Sequence, residues 1–120
     1  MQNGREVFSV RVQTKDDLVT VFIKGSLVED AGVALAAEVI KKIDEGFLRF
    51  VFDFGHSLTI SSPTVATILD MAERIVEGKK GKLIVSSLTD LNMKVFEMVG
   101  IFLYAEPCPT VQEAEAHAKL

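Results

Sequence analysis

The sequence predicts an α/β domain built on a mixed sheet of about five strands, an N-terminal hairpin followed by parallel strands, with about four helices. Three observations lead there. The chain opens on two β-branched, alternating runs separated by the charged turn Lys15-Asp16-Asp17. After Gly25, short apolar runs alternate with amphipathic stretches, the order expected of strand–helix–strand units. At 120 residues with 48% apolar content, the chain has material for one core and the length of one domain. Residues 1–120 are therefore read as a single domain, the first few expected to form a flexible tail.

Each element has its own signal. Phe8, Val10 and Val12 alternate with Ser9, Arg11 and Gln13, as in a half-buried strand, and Leu18 to Ile23 supplies its hairpin partner. A helix is expected from about Ala31 to Glu45, its apolar stripe Ala36, Val39, Ile40 and Ile43 opposed by Glu38, Lys41, Lys42 and Glu45. Gly46 is placed to end it in a left-handed turn. Phe47 to Phe54 reads as a central strand, with Gly55-His56-Ser57 leaving the sheet. Pro63 is favourable as the first residue of a second helix, which makes Ser62 its expected N-cap. Leu69, Ala72, Ile75 and Val76 form that helix's buried stripe, Asp70 and Arg74 an outer i,i+4 pair, and Gly78 its end. Lys82 to Ser86 is a short buried strand. Thr89 or Asp90 caps a third helix, with Leu91, Val95 and Met98 expected to face inward. Met93 and Phe96 fall off that stripe, and are read as covered by a neighbouring loop or the last helix in preference to forming a docking patch. Gly100 stops the helix, and Ile101 to Tyr104 is the expected edge strand. Thr110-Val111-Gln112-Glu113 has the capping-box pattern for an alanine-rich last helix.

Composition excludes several classes of function. The net charge is −4, and the one basic cluster, Lys79-Lys80-Gly81-Lys82, reads as a solvated turn. With no tryptophan and one tyrosine, Tyr104, a nucleic-acid interface has neither a basic stripe nor stacking platforms. No apolar run approaches a membrane span, and Met1 to Glu6 lacks the apolar core of a signal peptide. The expectation is a soluble cytoplasmic protein that binds neither nucleic acid nor membrane. Cys108, the only cysteine, sits between two prolines, and together with His56 and His117 it offers no metal-ligand spacing, so no metal and no cofactor are expected. No nucleophile–base pair or paired carboxylates stand out, and no catalytic residue is assigned. Asp53, near a strand end, reads as a residue that hydrogen-bonds locally.

The most informative stretch is Leu58-Thr59-Ile60-Ser61-Ser62-Pro63-Thr64. A serine opening a helix can cap it, at a value of about 1 kcal/mol. It can also carry a phosphate, because the free N–H groups and dipole there favour negative charge.

Together with Phe50-Val51-Phe52-Asp53-Phe54 and the following Ile60-Ser61-Ser62-Pro63-Thr64-Val65, this stretch resembles the STAS domain, and more narrowly the free-standing bacterial anti-sigma factor antagonists. Val21 to Leu27, Gly81 to Val85, Val95 to Ile101 and Thr110 to Ala114 are similar to that family's other segments, so the likeness spans the chain from Phe8 onward. Pro63 stands where the family has a small residue, Thr64 where it has glycine, and Val28 where an Asp is common, with Glu29 and Asp30 just after. The resemblance implies an antagonist that binds an anti-sigma factor with serine kinase activity and is switched off when that kinase phosphorylates Ser62. A serine phosphatase resets it. It further implies a docking surface formed by Ser61, Pro63, Thr64, Glu29, Asp30 and Ser57 on a monomer or weak dimer, and no enzyme activity. The alternative is a STAS-fold module that binds a small ligand or assembles with copies of itself, without phosphorylation.

Overall fold

The computed structural model describes residues 8–28 and 30–120. The tail expected at the start of the chain, and Glu29, lie outside the described residues. Two strands, β1 (Phe8–Lys15) and β2 (Leu18–Leu27), form the antiparallel hairpin, turning at Asp16. Then follow α1 (Ala31–Asp44), β3 (Arg49–Ile60), α2 (Ser62–Glu73) running into a single π-helical turn at Arg74–Gly78, and β4 (Lys82–Ser86). The chain closes with α3 (Asp90–Val99), β5 (Glu106–Cys108) and α4 (Val111–Ala118). The sheet order is β1-β2-β3-β4-β5, with every pair after the hairpin parallel. The predicted mixed sheet and four helices are therefore present.

The two faces of the sheet are covered unequally. Val19, Val21, Ile23, Phe50, Phe52, Phe54, Leu83 and Val85 face one side, where α1, α2 and α3 build the main core on them. The alternate residues Leu18, Val51 and Ile84 face the other side and, among the described residues, cluster with the apolar Ala114, Ala118, Val111 and Cys108 around the short α4. That helix is held at its end by cations: Arg49 Nη1 donates to the Ala118 carbonyl (2.6 Å) and Lys82 Nζ to that of His117 (3.4 Å). Both carbonyls lie in the last turn, where the helix dipole and free acceptors favour positive charge.

Three expectations are corrected. First, β3 does not leave the sheet at Gly55-His56-Ser57 but runs on to Ile60, because β2 continues beside it to Leu27. The pairing steps from Phe22↔Asp53 to Lys24↔His56, and from Gly25↔Ser57 to Leu27↔Ile60, so β3 carries an extra residue at each of two bulges. Second, α3 presents a different face. Asn92 and Phe96 are buried, Phe96 completely, while Leu91 is 70% and Met98 82% exposed. The reason is size: Phe96 packs edge-on against Phe54 (5.4 Å between rings, 89°), and so large an apolar surface outweighs the inward burial of Leu91 or Met98. Phe96 is thus core and not a docking residue. Third, Ile101 to Tyr104 is no strand. After Gly100, left-handed at φ 92°, the chain coils through a 3₁₀ turn that buries Ile101, and the edge strand forms later, at Glu106–Cys108. Pro107 is tolerated there because an edge strand can spare an N–H.

Candidate functional site

The bulges in β3 set the position of the next helix. At their end, Leu27 and Ile60 are paired, and the Ser61 N–H donates to the Leu27 carbonyl (2.9 Å). Chain from Leu27 reaches α1 within four residues, and chain from Ile60 enters α2 at once. The N-termini of α1 and α2 are consequently tied to one backbone hydrogen bond at the carboxyl ends of paired parallel strands, the rim where such sheets meet ligands and partners.

Helix α2 begins one residue earlier than Pro63 suggests. Ser61, not Ser62, is the N-cap: its backbone is extended (φ −71°, ψ 159°), and its Oγ accepts from the Thr64 N–H (3.4 Å) and lies 3.0 Å from Thr64 Oγ1. The Val65 N–H closes the first turn on the Ser61 carbonyl (2.9 Å). Pro63 then falls at the second helical position, where its missing N–H is still one of the helix's unpartnered donors. This shift separates two roles that the sequence merges in Ser62. Ser61 does the capping. Ser62, the first helical residue, is exposed, and its hydroxyl makes no hydrogen bond among the described residues. No acidic residue occupies the first turn of α2.

The other expected docking residues divide. Pro63 is exposed beside Ser62, and Ser61 is half-buried. Asp30, exposed, flanks the start of α1 on the same rim without a side-chain capping bond. Thr64 and Ser57 are corrections. Thr64 is 1% exposed, its hydroxyl folded back onto the cap. Helices α1 and α2 approach closely here: a Cβ on Gly32 would come 2.9 Å from Thr67 Oγ1 and 3.5 Å from Thr64 Cα. Ser57 is buried and donates to the Ile23 carbonyl (2.8 Å), an acceptor beside the bulged pairing of β2 and β3. Neither side chain has surface to offer a partner.

Sequence reasoning missed the neighbouring surface. Ile60, Val65, Ala66 and Leu69 on one side and Val95 and Val99 on the other enclose an apolar groove of about 380 Å³ between α2 and α3, with Ser62 at its lip. The signal was the apolar stripe of α3: once Phe96 is assigned to the core, Val95 and Val99 turn toward α2.

A hairpin-led mixed sheet whose later strands are parallel, with helices packed on it, is the architecture of the STAS fold. Solved structures agree. The chain superposes on SpoIIAA of Bacillus in its phosphorylated form with a TM-score of 0.74 at 20% identity, covering 91% of this chain and 98% of that one. The anti-sigma factor antagonist SpoIIAA in its unphosphorylated form gives 0.78 at 19%, covering 92% and 96%. An anti-sigma factor antagonist from Mycobacterium paratuberculosis gives 0.82 at 15%, covering 94% and 95%. The sequence matches no protein-family model and none of the curated proteins. This chain has the SpoIIAA-like STAS fold.

Proposed function

We propose that this protein is an anti-sigma factor antagonist that docks on an anti-sigma factor through the rim around Ser62 and the adjoining α2–α3 groove. Phosphorylation of Ser62 by a serine kinase releases it, and a serine phosphatase restores it. It acts as a regulator in the cytoplasm, not as an enzyme, and as a monomer or weak dimer. The observation that carries this reading is the division of labour at the helix start: Ser61 caps, which leaves the Ser62 hydroxyl exposed and, among the described residues, without a hydrogen bond. Similar folds described as anti-sigma factor antagonists support it.

The physics of the switch is local. A phosphate brings about −1.5 to −2 charges. At the first residue of α2 the helix dipole and free N–H groups favour it, so the fold need not respond. A partner seated over the groove responds strongly, because a doubly charged group at an apolar lip must be desolvated or expelled. A penalty of about 3–4 kcal/mol, two to three tenfold steps, separates bound from free. The test is to capture the partner with the unmodified chain and compare Ser62→Ala with Ser62→Asp. The alanine variant is expected to bind like the unmodified chain and to resist phosphorylation, and the aspartate variant to bind at least tenfold more weakly. Equal affinities, or a phosphate mapped to another residue, would overturn the reading.

A further inference from the structure

The second face of the sheet, which α4 covers only in part, carries a pocket that the proposed switch does not use. We propose that it binds a small hydroxylated organic anion. Ser9, Arg11, Phe22, Lys24, Asp53, His56 and Val111 line a cavity of about 510 Å³ there. Strand pairing assembles it. Ser9 lies opposite Lys24 and Arg11 opposite Phe22 across β1 and β2, and Phe22 pairs in turn with Asp53 of β3. In an unbroken strand Asp53 and His56, three residues apart, would point to opposite faces. The bulge between the Phe22↔Asp53 and Lys24↔His56 pairs inserts one residue and brings both to the same face. The irregularity in β3 is therefore what completes the pocket.

The lining specifies its occupant. Arg11 lies over the Phe22 ring, 4.3 Å from the centroid, which holds its planar fork in place while leaving N–H groups at its edge. Among the described residues neither Arg11 nor Lys24 enters an ion pair. Two unpaired cations and the His56 ring, converging from three adjacent strands, suit a phosphate or carboxylate. At the floor, Asp53 is 8% exposed, and Oδ1 accepts from the Ser86 hydroxyl (2.9 Å). Oδ2 lies on the side of Gly55, where a Cβ would come within 3.3 Å of it. No second donor to this carboxylate is present among the described residues, so an occupant that supplies a hydroxyl satisfies it, whereas a bare anion would face it unfavourably. The volume, within the range of small-molecule sites, also exceeds what inorganic phosphate fills.

The test is a titration of the isotope-labelled full chain at constant ionic strength, followed by NMR. Glucose 6-phosphate and gluconate present a phosphate or a carboxylate on a hydroxylated body; glucose and inorganic phosphate supply one half each. The expected result is saturable shifts at Arg11, Phe22, Lys24 and His56 with one or both hydroxylated anions, and weaker shifts with either half alone. Which anion saturates first identifies the head group. Arg11→Gln combined with Lys24→Gln is expected to weaken binding at least tenfold. The inference is overturned by no saturation up to about 10 mM, by glucose or inorganic phosphate binding as well as the composite ligands, by undiminished binding in the double variant, or by shifts confined to α2.

Discussion

Two adjacent serines with the same side chain have different work, and stability measurements can separate them. Ser61 is the cap, so Ser61→Ala removes the acceptor of the Thr64 N–H and strands the buried Thr64 hydroxyl. The expected loss is about 1–2 kcal/mol, several degrees in melting temperature for a domain of this size. Ser62→Ala, at an exposed position with no bond to lose among the described residues, is expected to melt within about 0.5 kcal/mol of the parent chain. If thermal denaturation ranks them the other way, Ser62 is the cap and its hydroxyl is not free. Cys108 gives a second prediction at this scale. Partial burial, then the carboxylates of Glu113 and Glu106, push its thiol above the ordinary cysteine value. All three disfavour the thiolate, so the folded chain holds this proton more tightly than the unfolded one. The corresponding stabilisation is present below the ordinary thiol pKa and fades as pH rises through the folded value. Alkylation by iodoacetamide should accordingly show a pH midpoint above that of a free cysteine, moving down in Glu113→Gln. A midpoint at or below the free value would refute the assignment.

At the level of elements, α3 has an aromatic inside and aliphatics outside. Phe96→Ala removes a ring locked between Phe54 and Phe102 and is expected to cost about 3–5 kcal/mol. Met98→Ala, at 82% exposure, should leave the denaturation midpoint nearly unchanged. Comparable losses from the two in urea melts would restore the inward stripe of Leu91, Val95 and Met98. The contrast shows what was legible in the sequence. Strand alternation in β1, the amphipathic stripe of α1, the left-handed turn at Gly46 and the Asp70–Arg74 pair (3.2 Å) all follow from local pattern and are present. The stripe of α3 was ambiguous because two apolar faces compete on ten residues, and the contest is decided by Phe54, far away in sequence. The bulges in β3 were not legible either, since an extra residue shows only against a partner strand. The candidate serine was singled out by a local signal, a hydroxyl beside proline at a helix start, and given its phosphate by the family resemblance. Its exact place in the cap was not legible, because the N–H that proline lacks is without an intrahelical partner at the second helical position as well as at the first.

Across the whole molecule, the sheet separates two surfaces. One face is filled by α1, α2 and α3, and its rim brings Ser62, Asp30 and the α2–α3 groove to the carboxyl ends of β2 and β3. The other face keeps an open pocket beside α4. The bulged stretch of β3 belongs to both: it carries His56 into the pocket, and it ends in the Leu27–Ser61 bond that starts α2. The chain shares the fold of both the phosphorylated and the unphosphorylated structure of SpoIIAA, at TM-scores of 0.74 and 0.78. The proposed switch, which leaves the fold unchanged, makes a sharp demand on its interface: affinity must be adjustable at the groove without any change in stability. Val99 tests this. It lines the groove, is 41% exposed and ends α3, where a cation is favoured by the helix dipole. Val99→Lys should therefore fold normally, with a melting temperature within about 2 °C of the parent. A lysine there places a charge that a docked partner must desolvate, and affinity for the proposed partner should fall at least tenfold even with Ser62 unmodified. Unchanged affinity in a calorimetric titration would remove the groove from the interface and confine docking to the helix N-termini around Ser62 and Asp30.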